Sequence, residues 1–363
     1  MMNDKSLLNY QMYIHPSDII DLKKDLWNDE PVPGTLTINK RKFDIDVVFR
    51  GSHIRKFKKK SYHVSFYKPS HYKGSKEIHL NAEYKDPSLI RNKLSLDFFE
   101  SIGVLAPQSK HIFLLLNGRS EGVYLELESV DENFLQRRNL PNGPIYYAVD
   151  GDANFSLVSD LDKETKKSLE LGYERKCGTN QDDQYLQEMI FKVNTLLKEE
   201  FEKEIHRYVD VEKYLRWLAG VVLTQNYDGF VHNYALYRNG ETGLFEMIPW
   251  DYDATWGRDV NGREMSEDYV RINGYNTLTA RLLSVKTYRK RYQTILKEIL
   301  EHQFTIDFIK PQVEQLYTLI RPGIKKDPYK KVHLERFETE PNYIYRFIEL
   351  RKNYLTANLY KLD

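Results

Sequence analysis

The sequence predicts an α+β fold, with a smaller N-terminal part built on antiparallel strands and a larger, mostly helical C-terminal part. Three observations predict it. Between about residues 35 and 128, stretches that alternate apolar and polar residues recur with turn residues between them, the pattern of half-buried strands. After about residue 145 the apolar spacing lengthens to three and four, the helical period. The 363 residues suffice for two lobes sharing a cleft, and the change of period divides them into 1–145 and 146–363.

Ser17 can cap an opening helix, with Ile19, Ile20, Leu22, Leu26 and Trp27 at helical spacing, and the turn Pro31-Val32-Pro33-Gly34 stops it. Residues 35–39, 43–50 and 61–67 then alternate as an antiparallel meander. Asp86-Pro87-Ser88 opens a helix that runs to about Ile102, with Gly103 as stop signal. Residues 110–116 and 122–128 form a hairpin through Asn117-Gly118. In the second part, residues 185–197 and 211–226 read as helices. A hairpin follows, with strands 234–238 and 244–249 around Asn239-Gly240. From residue 276 onward the chain is almost wholly helical, without repeats or low-complexity tracts.

Composition narrows the function classes. Hydrophobic residues make up 41% and charged residues 29%, ordinary for a soluble globular protein, and net charge is +1. No global field draws such a chain to nucleic acid or an anionic membrane, so neither is an expected partner. No window approaches 18 apolar residues, so no membrane span is expected. The first residues lack a basic start followed by an apolar run, which predicts no signal peptide. The single Cys177 excludes an intrachain disulfide and a cysteine-based zinc site. The 27 tyrosines suit wet, hydrogen-bonded clefts.

Chemistry concentrates in residues 226–256, NYDGFVHNYALYRNGETGLFEMIPWDYDATW. A helix ends at Asp228-Gly229, a loop carries His232 and Asn233, and a hairpin delivers Trp250-Asp251-Tyr252-Asp253. Phosphoryl transfer needs a carboxylate to take the hydroxyl proton, oxygen ligands for a metal, and cations on the phosphates. Protein kinases place a catalytic Asp five residues before a metal-binding Asn, with a metal-binding Asp on a later hairpin. Asp228, Asn233 and Asp251 have that order and spacing, without His-Arg before the first or Phe-Gly after the last. Plainer readings stand beside these: Asp228 as a turn residue, Asp251 and Asp253 as caps, His232 as a structural histidine.

The cation is chosen by strand parity. Lys60 shares a face with Tyr62, Val64 and Phe66, whereas Lys59 shares one with Ser61, His63 and Ser65. A lysine on the apolar face requires an anionic partner, which makes Lys60 the phosphate candidate ahead of Lys59. It follows the acid-free run RGSHIRKFKKK. Arg50, Arg91 and Glu128 are further candidates to position Lys60 and the phosphates, with surface ion pairing as the plainer alternative. Ile145-Tyr146-Tyr147-Ala148-Val149, between the two parts, is the candidate for holding adenine through Tyr146 and Tyr147.

RGSHIRKFKKKSYHVSF, DPSLIRNKLS, LNGRSEGVYLELESVDENFL, NYDGFVHNYALY and IPWDYDATWG together resemble the CotH kinase family, in order over roughly residues 50–257. The resemblance implies an atypical protein-kinase-like two-lobed fold that binds ATP with Mg2+ or Mn2+. It implies phosphorylation, mainly on serine, of other spore coat proteins, with acceptors expected to be Ser-rich and basic. It assigns Asp228 as catalytic, Asn233 and Asp251 as metal ligands with Asp253 assisting, and Lys60, Arg91 and Glu128 to the nucleotide side. It implies synthesis in the mother-cell cytoplasm and residence in the spore coat. No Gly-x-Gly-x-x-Gly loop is present, so side chains such as Arg50 and Arg91 would have to replace a backbone phosphate cradle. Two other classes stay open: a glycosyltransferase using Asp251-x-Asp253, and a non-catalytic coat scaffold whose aromatic C-terminal helices are the working surface.

Overall fold

The computed structural model describes residues 6–68 and 72–363. Its α+β fold begins with β1 (Leu8–Ile14), α1 (Pro16–Lys24), β2 (Val32–Ile38), β3 (Arg41–Phe49), β4 (Tyr62–Phe66) and β5 (Glu77–Asn81). Next come α2 (Arg91–Ser101), β6 (Ser109–Leu116), β7 (Arg119–Glu128) and α3 (Glu132–Arg137). These strands do more than meander: they close into a barrel in the order β1-β2-β3-β4-β5-β7-β6. The closing contact is parallel, Leu8 of β1 facing Ile112 of β6, while the other pairs are antiparallel.

Parity explains how the barrel is filled and what its outside does. Tyr62, Val64 and Phe66 of β4 point inward, into a core shared with Tyr10, Ile45 and Leu80. On β6 and β7 the outward residues Phe113, Val123 and Leu127 are also apolar and join a second, larger core. On β4 and β5 the outward residues are polar (His63, Ser65, Glu77, His79 and Asn81). The barrel is therefore fastened to the helical body along β6–β7 and leaves the β4–β5 face for a cleft.

The remainder comprises β8 (Ile145–Ala148), β9 (Tyr173–Cys177), α4 (Asp183–Thr195), α5 (Lys198–Glu204) and α6 (Val211–Thr224). It continues with β10 (Tyr234–Arg238), β11 (Phe245–Pro249), α7 (Thr277–Ser284), α8 (Lys286–His302), α9 (Ile306–Ile324) and α10 (Leu334–Ala357). The four strands form a sheet ordered β11-β10-β8-β9, antiparallel at every pairing. Buried α6 runs through the larger core and crosses α2 at Gly220, where a Cβ would lie 2.2 Å from the Phe99 ring.

Local expectations met two corrections here. The cap of α1 is His15, whose side chain accepts from Ser17 N. Val32–Gly34 of the expected turn are strand, because the β1 ladder ends at Gly34 and Pro33 lies beyond it, where its missing N–H costs nothing on that side. Among the described residues, no helix is long and apolar enough to cross a membrane.

Candidate active site

A cleft of about 750 Å3, within the range of small-ligand sites, lies between the β4–β5 face and the ends of β8, β10 and β11. From the barrel side it is lined by Arg50, Lys59, His63, His79 and Glu83. From the other side come Tyr147, Asp228, Asn233, Trp250, Asp251 and Asp253.

Each catalytic candidate is placed by a short, defined piece of backbone. Helix α6 stops at Gln225, which takes a left-handed φ of 62°. Asn226 Oδ1 then accepts Gly229 N at 3.1 Å, holding the single 3-10 turn that begins at Asp228. The Asp228 carboxylate is part-exposed to the cleft, with His232 Nε2 3.7 Å away. Asn233 and Asp251 stand at the open end of the β10–β11 hairpin, where Trp250 N donates to Asn233 O at 3.0 Å and Asn233 Nδ2 donates to Asp251 O at 3.3 Å. Both adopt left-handed backbone, φ 58° and 59°. Such conformations cost about 1–3 kcal/mol each and persist where the surroundings over-determine them.

The loop after Asp251 is gripped by α2. Asn92 Oδ1 accepts Tyr252 N at 3.1 Å, Arg91 Nε donates to Thr255 O at 3.0 Å, and Trp256 Nε1 donates to Ser95 Oγ at 2.9 Å. Asn92 also donates to Glu83 Oε1 at 3.2 Å, linking the loop to a residue that sequence reasoning missed. Glu83 is 5% exposed, left-handed at φ 45°, and its Oε2 has no hydrogen-bond partner among the described residues. Burial, with Asp251 and Asp86 nearby, pushes its carboxyl up to about 8. Burial, then Asp251 and Glu83, pushes Asp253 well above the usual carboxylate range. Carboxyls crowded in this way ionise readily only when a cation joins them.

The lysine expectation reverses. Lys60 lies outside the cleft lining: its Nζ donates to Arg55 O beside the Phe49 ring. The apolar face of β4 is the inside of a closed barrel, so the ligand-facing parity is the polar one, that of Lys59, Ser61 and His63. Lys59 lines the cleft, and its buried ammonium donates to Val123 O at 2.6 Å and Asp327 Oδ2 at 3.0 Å. Burial lowers its pKa, and Asp327 opposes that shift.

Three other candidates also lie elsewhere. Arg91 is fully buried and paired with Asp86 and Glu340, each at 2.6 Å. Glu128 pairs with Arg137 and Arg138 and lines a separate cavity of about 340 Å3. Tyr146 is buried in the larger core. Arg50 and Tyr147 do reach the cleft. Arg50 donates to Asn81 Oδ1 and lies 5.5 Å from the Trp250 ring, which Tyr147 meets edge-on at 4.9 Å. No local sequence signal marks Glu83, whose place depends on Asn92 and Asp251, far along the chain. Lys59 was marked by its parity once that parity is assigned to a barrel.

Comparison with known proteins accords with the motif resemblance. The profile of the CotH kinase protein family matches residues 47–355. The chain is 59% identical over 359 residues to inner spore coat protein H of Bacillus subtilis (strain 168), covering 99% of both chains. It is 30% identical over 304 residues to the inner spore coat protein H-like protein of the same organism, covering 84% of this chain and 87% of that one. Among solved structures it is similar to the HipA, HipB and operator DNA complex of Shewanella oneidensis MR-1, at 14% identity and TM-score 0.36. That match covers 97% of this chain and 75% of the other. The Helicobacter pylori proinflammatory kinase CtkA is similar at 9% identity and TM-score 0.30, covering 75% of this chain and 94% of that one.

Proposed function

The chain belongs to the CotH kinase protein family, and from that premise we propose that it is an ATP-dependent protein kinase that phosphorylates serine side chains of other spore coat proteins. The observation that carries this reading is the convergence of Asp228, Asn233 and Asp251 on one cleft, two of them in strained backbone. Residues 1–145 supply the barrel side of that cleft and residues 146–363 the catalytic side, as two kinase-like lobes.

The donor set fits a hard divalent cation. Asp251 and the Asn233 amide oxygen would be its oxygen ligands, and Asp253 and Glu83, whose carboxyls are pushed toward the neutral form while no cation is present, would ionise to join it, Glu83 with an unpartnered oxygen among the described residues. The chemistry that Mg2+ or Mn2+ supplies when bound there is neutralisation of charge across the phosphate oxygens. Asp228 orients the serine hydroxyl and takes its proton as the Oγ–phosphorus bond forms. The bond from the γ-phosphorus to the β–γ bridging oxygen breaks, and ADP leaves with that electron pair. Lys59, fixed by Asp327 and Val123, takes the phosphate-side role together with Arg50. Adenine is placed against Tyr147 and Trp250.

The acceptors are proposed to be basic and serine-rich, as the motif resemblance implies. The B. subtilis relative is named for the inner spore coat, and the same residence, after synthesis in the mother-cell cytoplasm, is proposed here. The test is incubation with γ-labelled ATP, a divalent metal and a basic serine-rich coat protein. Label on serine is expected; a sugar on the acceptor, or no label despite bound ATP, would overturn the reading.

A further inference from the structure

On the cleft-facing surface of the barrel, three metal-ligating side chains that the phosphate chemistry does not use face one another. His63 on β4 and His79 on β5 are direct cross-strand partners, and Glu77 precedes His79 by two residues, on the same face. His63 Nε2 lies 3.6 Å from Glu77 Oε2, and His79 Nε2 lies 3.9 Å from Glu77 Oε1. Each residue offers a ligand atom, and these atoms all lie within 4.8 Å of one another. A tetrahedral ion with ligands at ~2.0–2.1 Å holds them ~3.3 Å apart, so closing on an ion asks the three side chains to draw together by about 1.5 Å at most.

Two further observations favour a ligand. His79 is 7% exposed and its Nε2 has no hydrogen-bond partner among the described residues, although buried imidazole nitrogens are normally satisfied. Glu77 is already oriented: its Oε1 accepts Ser129 Oγ at 2.5 Å and Lys176 Nζ at 2.6 Å, which leaves Oε2 toward His63. Such outer partners are what fix the carboxylate of a metal site. Lys176 and Arg50 lie close enough to depress the His79 pKa, behind burial as the main cause, and their charge works against a dication.

We propose that His63, Glu77 and His79 bind one zinc-class transition-metal ion, with the fourth position open to the cleft for water or an anionic oxygen. Two imidazoles are borderline donors that suit zinc better than magnesium, and with one carboxylate they make a two-histidine, one-glutamate set that zinc accepts. The site is distinct from the carboxylates around Asp251 and does not depend on the kinase reading.

The test uses the full chain carrying Asp251→Asn, so that the other cation site is weakened, titrated with Co2+. One equivalent should produce the strong visible bands of four-coordinate cobalt, and Zn2+ should abolish them stoichiometrically. His63→Asn, Glu77→Gln and His79→Ala should each weaken Co2+ binding at least about tenfold. Circular dichroism identifies any variant that fails to fold, and the remaining substitutions then decide. No cobalt spectrum in the Asp251→Asn protein, or an unchanged one in the folded variants, would overturn the assignment.

Discussion

Replacing Arg91 with methionine should destabilise the protein and leave the proposed nucleotide binding unchanged. The guanidinium is fully buried and bridges Asp86 and Glu340 at 2.6 Å while holding Thr255 O at 3.0 Å. Methionine leaves Glu340 with Arg258 at 2.5 Å, and leaves Asp86 with Ser88 N and the residue 91 N–H. Removing one partner of a buried ion pair costs ~3–5 kcal/mol. Unfolding entropy of ~2.1 cal/mol/K per residue over this length gives ~0.8 kcal/mol per degree, so Tm should fall by ~4–6 °C. A pH signature accompanies it. Burial alone would raise the Asp86 pKa, but Arg91 and the neighbouring N–H groups hold it below the usual range. Stability from a depressed carboxylate is present above its unfolded pKa and lost as pH falls through the folded one. The gap between parent and variant should therefore close in acid. Melting followed by tryptophan fluorescence, with nucleotide binding measured at a temperature where both proteins are folded, separates the possibilities. An unchanged Tm with much weaker nucleotide binding would refute the argument and return Arg91 to the phosphates.

Three other outcomes follow from the same geometry. Lys59→Met should abolish phosphate transfer and cost ~3–5 kcal/mol, because Asp327 is left charged and buried, whereas Lys60→Met should change neither transfer nor Tm appreciably. Paired transfer and melting assays read both, and a transfer defect confined to Lys60→Met would reverse the choice. In metal-free buffer, Glu83 keeps its proton in the folded state up to about 8 but loses it near 4.5 when unfolded, so stability should fall as pH rises between those values and then level. Urea titrations should show a shallower fall for Glu83→Gln, and identical slopes would contradict the crowding of Glu83 with Asp251. In Gly122→Ala the new Cβ would lie 2.0 Å from Asp327 Oδ2 at a φ of +94°, costing roughly 1–3 kcal/mol or more. A melting curve matching the parent would show that Asp327 yields freely.

What the sequence disclosed depended on how local the determinant was. The β10–β11 hairpin and the Asp228–Asn233 spacing are short-range features, and the structure brings these residues and Asp251 to one cleft. Strand β1 and its parallel pairing with β6 join segments about a hundred residues apart, which no local period encodes, so the barrel was not foreseen. That omission propagated. Without a closed barrel, the apolar face of β4 reads as the face of a cleft, and Lys60 is preferred to Lys59. Arg91 and Glu128 were legible as charged residues within ordered elements, but their partners, Glu340 and Arg137 among them, come from packing that spacing does not reveal. Glu83 acquires its character only from neighbours contributed by α2 and the Asp251 loop.

The most direct test of the central claim compares the parent, Asp228→Asn and Asp251→Asn in two assays, ATP binding with divalent metal and transfer of γ-phosphate to a serine-rich coat protein. The account predicts that Asp228→Asn binds ATP as the parent does but loses transfer, by roughly 100-fold or more, whereas Asp251→Asn loses metal-dependent ATP binding as well. Transfer by Asp228→Asn at the parent rate would contradict it.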